Sequence, residues 1–184
     1  MCVKKYMHGE VLGGYLKPVR IGRVHMLAET KYFGKIDIED EKIIEFPMGI
    51  IGFENLKKFA LIFDVGKEER SSISWLQSME EPLMALPVIN PADIKVDYSP
   101  IIEDELTKRI GDPADEDLLI FVTMSIPTDL TKMTANLKAP IIINTKNRQA
   151  MQVIVENDDY QIKYNVYEVY EALKKLEEKV EDKN

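Results

Sequence analysis

The chemistry open to this chain is bounded by where its histidines and cysteine stand. Both histidines, His8 and His25, and the single cysteine, Cys2, lie in the opening segment of a 184-residue chain. From Tyr32 onward neither residue type occurs. That removes Cys/His zinc sites, Ser-His-Asp and Cys-His nucleophile systems, and histidine acid–base catalysis from most of the sequence. Carboxylates, lysines and oxygen ligands remain. Two runs, Glu103-Asp104-Glu105 and Asp115-Glu116-Asp117, are dense enough to matter. With Asp112 they hold seven acids against Lys108 and Arg109, a local balance of −5. A glycosidase-like hydrolase could use two such acids if a cleft held them about 5–9.5 Å apart. The same runs read equally as a solvated acidic face or as a surface for a basic partner. Glu80-Glu81, beside Met79, forms a second acidic candidate, because binding loops sit at strand ends. No motif calls for a cofactor or a metal, so neither is expected, and no catalytic residue is assigned.

Charge distribution favours the partner reading. Residues 1–31 carry six basic and two acidic groups, and since the whole chain is −8, residues 32–184 carry −12. A body that negative repels phosphate backbones, whose binding depends on Lys and Arg, and suits a basic protein instead. No run approaches the ~18 apolar residues of a membrane span. A lone cysteine forms no internal disulfide and fits a reducing compartment.

The elements that must carry these residues are mostly strands. The stretch Phe46-Pro47-Met48-Gly49-Ile50-Ile51-Gly52-Phe53 reads as a corner: Pro47 presets φ for a turn, and Gly49 and Gly52 permit angles that larger residues avoid. Before it, Thr30–Ile38 alternates Tyr32, Ile36 and Ile38 as a strand, which Asp37–Glu41 turns into a hairpin with Lys42–Phe46. After it, Glu54–Phe59 reads as one or two helical turns. Strands are then expected at Ala60–Phe63, Ile73–Ser78, Leu83–Ile89, Leu118–Met124, Met133–Leu137, Ile141–Asn144 and Met151–Val155. Pro87 demotes its strand to an edge or a bulge. Asn90–Asp93 starts a short helix and Ile101–Ile110 makes another. Short strands about ten residues apart, with only short helical inserts, argue for a mostly β, antiparallel barrel- or sandwich-like single domain.

The ends differ from this body. Residues 1–29 show no period and read as a weakly ordered arm, with Met26 as an alternative start. Residues 161–184 read as an amphipathic helical extension: Val166, Val169, Tyr170, Leu173, Leu176 and Val180 form a stripe among Glu and Lys. The stripe either docks on its own domain or reaches a partner by coiled-coil or helix-in-groove contact.

Four blocks carry a family resemblance: Thr30-Lys31-Tyr32-Phe33-Gly34, Phe46–Phe53, Trp75-Leu76-Gln77-Ser78, and Met133-Thr134-Ala135-Asn136-Leu137-Lys138-Ala139-Pro140-Ile141. In this order and spacing, residues 30–160 resemble the bacterial flagellar assembly factors of the FliW family. The resemblance implies a non-enzymatic, cytoplasmic protein that binds flagellin before export. It further implies that the flagellin-free form binds CsrA, a small RNA-binding repressor of flagellin translation, away from its RNA face, and so couples flagellin synthesis to export. Phe46, Pro47, Gly49, Gly52, Phe53, Trp75, Gln77, Asn136 and Pro140 match the family motifs and are expected to make the fold. Gln77 and Asn136, polar residues in apolar runs, are expected to satisfy buried backbone groups. Met48, Ile50 and Ile51 would form an apolar patch suited to flagellin's terminal helices if they are exposed. Glu80, Glu81, Glu103, Asp104, Glu105, Asp115, Glu116 and Asp117 are the candidates for a basic partner. Direct nucleic-acid or membrane binding is not expected.

Overall fold

A computed structural model describes residues 25–30, 32–63 and 73–172. Its first two strands, β1 (His25–Thr30) and β2 (Gly34–Glu39), form a separate antiparallel hairpin. The expected single strand through Thr30–Ile38 is thus folded in two. Gly34 takes φ +65°, and the Thr30 hydroxyl accepts from Phe33 N–H while donating to Gly34 O, both at 2.9 Å. A glycine in the left-handed region lets the chain reverse where alternation alone predicted that it would run on. Tyr32 and Phe33, at the tip, rest on Trp75, with ring centroids 5.0 and 6.1 Å away.

Nine strands make the main sheet. Its path runs β10 (Ala150–Gln152), β9 (Ile141–Asn144), β7 (Leu118–Ser125), β6 (Ala85–Ile89), β5 (Ile73–Ser78), β4 (Lys58–Phe63), β3 (Ile43–Glu45). β8 (Thr134–Ala135) pairs with β7 and with β11 (Tyr164–Asn165). The named pairs are all antiparallel. β3 pairs with β4 and not with β2, so the expected hairpin between the second and third strands does not form; a 3-10 turn, Asp40–Lys42, redirects the chain. Glu54–Lys57 is likewise turn and coil, with no helix. One parallel bridge, Glu45↔Gln149, with Glu45 N–H donating to Arg148 O, brings the sheet's two ends together without closing a continuous barrel. The molecule is a single, mostly antiparallel β domain of sandwich-like build.

The sheet is apolar on both faces. Along β6, β7, β9 and β10, alternate residues enter different cores: Val88, Phe121, Ile141, Ile143 and Ala150 one, Ile89, Val122, Ile142 and Met151 the other. The first core lies within the curl from β3 to β10 and is completed by Phe46, Ile50, Phe59 and Leu76. The second is covered by Ile94 of α1 (Pro91–Ile94), by Leu106 of α2 (Asp104–Thr107), and by Tyr160 and Val166. Burial on both faces explains why β7 and β9 read as unbroken apolar runs. Residues 167–172 are helical, and Val169 and Tyr170 pack on the second core. Leu173, Leu176 and Val180, like the segment before His25, lie outside the described residues.

Candidate functional site

Two openings flank the two-pair ladder between β6 and β7, and a proline stands just beyond it on either side. Ser78 N–H donates to Met84 O, so alternate residues of β6 (Leu86, Val88) turn their main-chain groups toward β5. Pro87 and Ile89 turn theirs toward β7, whereas Pro91, beyond the strand, lies in α1 with its carbonyl accepting from Lys95 N–H. Asn136 N–H donates to Thr123 O, which directs Thr123 to the β8 side and leaves Ile120, Val122 and Met124 facing β6. The β6–β7 pairing comprises Val88↔Thr123 and Ile89↔Val122 alone. Its next steps would set Pro87 opposite Met124 and Pro91 opposite Ile120. Neither proline has an N–H to give, and the pairing stops at both. Pro87 therefore sits inside the sheet, paired with Trp75 on one side and facing β7 on the other with a carbonyl but no N–H. Past Ile89, the Asn90 side chain accepts from Ala92 N–H and opens α1 with Pro91 in its first turn, taking the chain away from β7.

At the Pro87 end lies a groove of about 370 Å³ lined mainly by apolar side chains. The Phe46–Phe53 turn supplies one wall through Ile50, Ile51 and Phe53; Leu86 and Met124 come from the diverging strands, and Ile154 and Ile162 from after β10. The wall is built by consecutive tight turns: Gly49 N–H donates to Phe46 O, and Phe53 N–H to Ile50 O. Gly49 has φ +74°, and a Cβ there would stand 2.5 Å from the Glu54 Cα. Gly52 N–H binds the Glu54 carboxylate at 2.9 Å and holds its pKa below the usual range. Gln152 ties the turn to the sheet, accepting from Ile51 N–H at 3.1 Å and donating to Ala139 O at 3.0 Å. Ile50 is 2% exposed, whereas Ile51, Phe53, Ile154 and Ile162 are 51, 44, 66 and 65% exposed.

At the Pro91 end lies a depression of about 680 Å³. Its floor includes Ile102, Leu118 and Ile120, and Asp104, Asp112 and Asp115 stand around it with Lys108. The two acidic runs thus contribute to one surface through Asp104 and Asp115, eleven positions apart in the chain. Tyr98 closes one side; its hydroxyl donates to Leu137 O at 2.9 Å, and burial pushes its pKa well above that of a free phenol. Among the described residues, no cluster of three His, Cys, Asp or Glu could hold a metal ion.

The remaining candidates divide by what they touch. Met48 is exposed, with its Sδ 3.6 Å from an Arg109 Nη1. Ile50 is a core residue and cannot join an exposed patch. Glu80 accepts from both Lys57 and Lys58 N–H, which lowers its pKa, Lys58 having the larger effect. Its carboxylate thus pins the chain entering β4. Glu81 is exposed and accepts from Leu83 N–H. Glu103, Asp104, Glu105, Asp115 and Glu116 are exposed, Glu105 being paired with Lys108 at 2.6 Å. Asp117 is buried, ion-paired with Lys146, and its carbonyl accepts from Thr145 N–H and Oγ1. It belongs to the fold rather than the surface.

Among the motif residues, Phe46 is fully buried against Phe59, at 5.1 Å in an edge arrangement. Pro47 is exposed in its turn, and Pro140 is buried. Gln77 is fully buried, its amide donating to Ser78 O and Met84 O. Asn136 accepts from Ala139 N–H and lines the groove. Phe53, expected to make the fold, is partly exposed and lines the groove. Ile154 and Ile162 were missed: Ile154 reads as one more residue of the apolar run Val153–Val155, Ile162 stands alone between Gln161 and Lys163, and only the fold gathers them.

A family model described as "FliW protein" matches residues 27–166. The flagellar assembly factor FliW of Lachnoclostridium phytofermentans is 46% identical over 153 residues, covering 83% of this chain and 98% of that protein. The corresponding protein of Thermotoga maritima is 41% identical over 150 residues, covering 81% and 98%. A crystal structure of a flagellar assembly factor FliW superposes with a TM-score of 0.70 at 29% identity, over 76% of this chain and 96% of the other. A domain matched along nearly the whole length of its relatives, in sequence and in fold, leaves no ambiguity: the chain belongs to the FliW family of flagellar assembly factors.

Proposed function

We propose that this protein is a cytoplasmic partner-exchange factor that binds flagellin in the apolar groove. In its flagellin-free form it binds CsrA through the acidic depression and relieves CsrA's repression of flagellin translation. The observation that carries the reading is the gathering of Ile51, Phe53, Ile154 and Ile162, all substantially exposed, around one groove. Contiguous exposed apolar surface of this kind marks interaction sites, and flagellin's terminal helices offer matching apolar faces. The acidic depression supports the second half, because a basic RNA-binding protein is steered by complementary charge. Among the described residues no helix is long and apolar enough to cross a membrane. The carboxylate-pair hydrolase alternative gains no observation of its own.

Titrating the protein with CsrA, with and without flagellin, tests the reading. Flagellin should displace CsrA or weaken it. The double substitution Ile51→Asp with Ile154→Asp should weaken flagellin binding by about 1–3 kcal/mol, tenfold or more, with thermal stability nearly unchanged because both side chains are exposed. Unaltered flagellin affinity in that variant would remove the groove from the mechanism, and independent binding of the two partners would remove the exchange.

A further inference from the structure

The acidic depression holds something besides acids: an open strand edge. β7 pairs with β9 through Leu118↔Asn144, Leu119↔Ile143, Ile120↔Ile142 and Phe121↔Ile141. On its other side the partner strand has ended at Ile89. The main-chain alternation fixed by Asn136 N–H on Thr123 O, and by Thr145 N–H on Asp117 O, directs the peptide groups of Leu118 and Ile120 to that vacated side. Leu118 N–H is taken locally by Asp115 O. Among the described residues, nothing hydrogen-bonds the main chain of Ile120 there. Pro91, which would fall opposite Ile120 if β6 ran on, lies in α1 and has no N–H to donate. Most folds cover such an edge or blunt it with charge. Here it stays open at the floor of a 680 Å³ depression, beside Ile102 and below Asp104, Asp112 and Asp115.

We propose that the Leu118–Ile120 edge of β7 is a docking site for a short extended segment of a partner protein, rich in lysine or arginine, that adds to the sheet along the line β6 vacates. Ladder hydrogen bonds to Ile120 supply directionality, and alternate side chains of the incoming strand meet Ile102 and the acidic rim. The charge selects the occupant. A second copy of this chain would bring the same acids to the same edge and be repelled, whereas a basic segment neutralises them. The inference deepens the reading of the depression as a partner surface. Failure of the CsrA titration would remove that partner, while failure of the experiment below would remove the edge, and the two use different ligands.

The test titrates the full chain with a capped synthetic peptide alternating lysine and valine, followed by amide NMR and hydrogen exchange. Binding should slow exchange of the Ile120 amide about tenfold or more, since a free edge amide becomes a ladder donor. Affinity should fall as salt rises. A fully N-methylated peptide of the same sequence, unable to donate to the ladder, should not bind, and Asp104→Lys with Asp115→Lys should weaken the parent peptide about tenfold or more. Equal binding by the N-methylated peptide, shifts confined to Ile51 and Ile154, an unchanged Ile120 amide, or no binding would each overturn the proposal.

Discussion

The groove and the depression share a cause and differ in what they expose. Each lies beyond an end of the two-pair ladder, near a proline with no proton to give, Pro87 on one side and Pro91 on the other. At the Pro87 end the chain returns through the Phe46–Phe53 turn and fills the gap, so what faces outward is side chain: Ile51, Phe53, Ile154 and Ile162. At the Pro91 end the returning chain from Tyr98 to Asp115 rims the opening without pairing with β7, and the Ile120 edge lies beneath carboxylates. The first surface can discriminate by shape and should be nearly indifferent to salt; the second discriminates by direction and charge and should be salt-sensitive. Two partners of different chemistry can thus be served by opposite ends of one strand.

The largest expected effect bears on the groove wall alone. Gly49→Ala should destabilise the protein by about 2–4 kcal/mol, because the new Cβ meets the Glu54 backbone at 2.5 Å and φ is +74°. Gly52→Ala, at φ +85° with nothing within 4 Å of its Cβ, should cost only about 1 kcal/mol, the left-handed backbone penalty by itself. Denaturant unfolding of both variants checks the pair. Equal losses would mean that the close approach to Glu54 is relaxed at no cost, and that the wall is softer than its turns imply.

Pro87→Val tests the shared cause. Restoring an N–H opposite Met124 should let the β6–β7 ladder run one step further and draw Leu86 toward Met124. The amide introduced at position 87 should then exchange slowly, and flagellin affinity should drop several-fold, on the order of 1 kcal/mol, as the groove narrows. The depression should be unaffected, so CsrA affinity is the internal control. A rapidly exchanging amide at that position would show that strand divergence, not the missing donor, ends the pairing.

How much of this was legible beforehand follows from which signals are local. The corner at Phe46–Phe53, the central strand at Leu118–Met124 and the helix start at Asn90–Pro91 rest on residue types that act on their own backbone, and they were readable. The first hairpin was misread because alternation at Tyr32, Ile36 and Ile38 says nothing about Gly34 reversing the chain between them. Pro87 reads in the sequence as the mark of an edge strand or a bulge, whereas β6 lies between β5 and β7 and only its ladder to β7 is short. Acidic runs were visible as charge, but Asp117 looks like its neighbours until the fold buries it beside Lys146. The groove was the least visible, since its walls come from distant segments that meet only in the folded chain.

Glu80 supplies the smallest and most specific test, because its carboxylate holds the chain entering β4 while its sequence neighbourhood suggested a partner surface. Its carboxylate accepts from Lys58 N–H and Lys57 N–H, and these bonds hold its folded pKa below the ordinary value. A lowered folded pKa means that the unfolded chain takes up the proton first. The contribution is therefore complete above the unfolded glutamate's pKa, declines as pH falls below it, and is lost once pH passes through the lowered folded value. Glu80→Gln should remove that slope and lower stability at neutral pH by ~0.5 kcal/mol, a small figure because the group is largely exposed and screened. Stability measured from neutral to acid pH should show wild type and variant converging as the acid limb is reached. Parallel curves across that window would mean that the two amides are held by the turn itself. If CsrA affinity nevertheless falls in this variant, Glu80 belongs to the partner surface after all, and the division between a structural groove side and a charged depression would have to be redrawn around it.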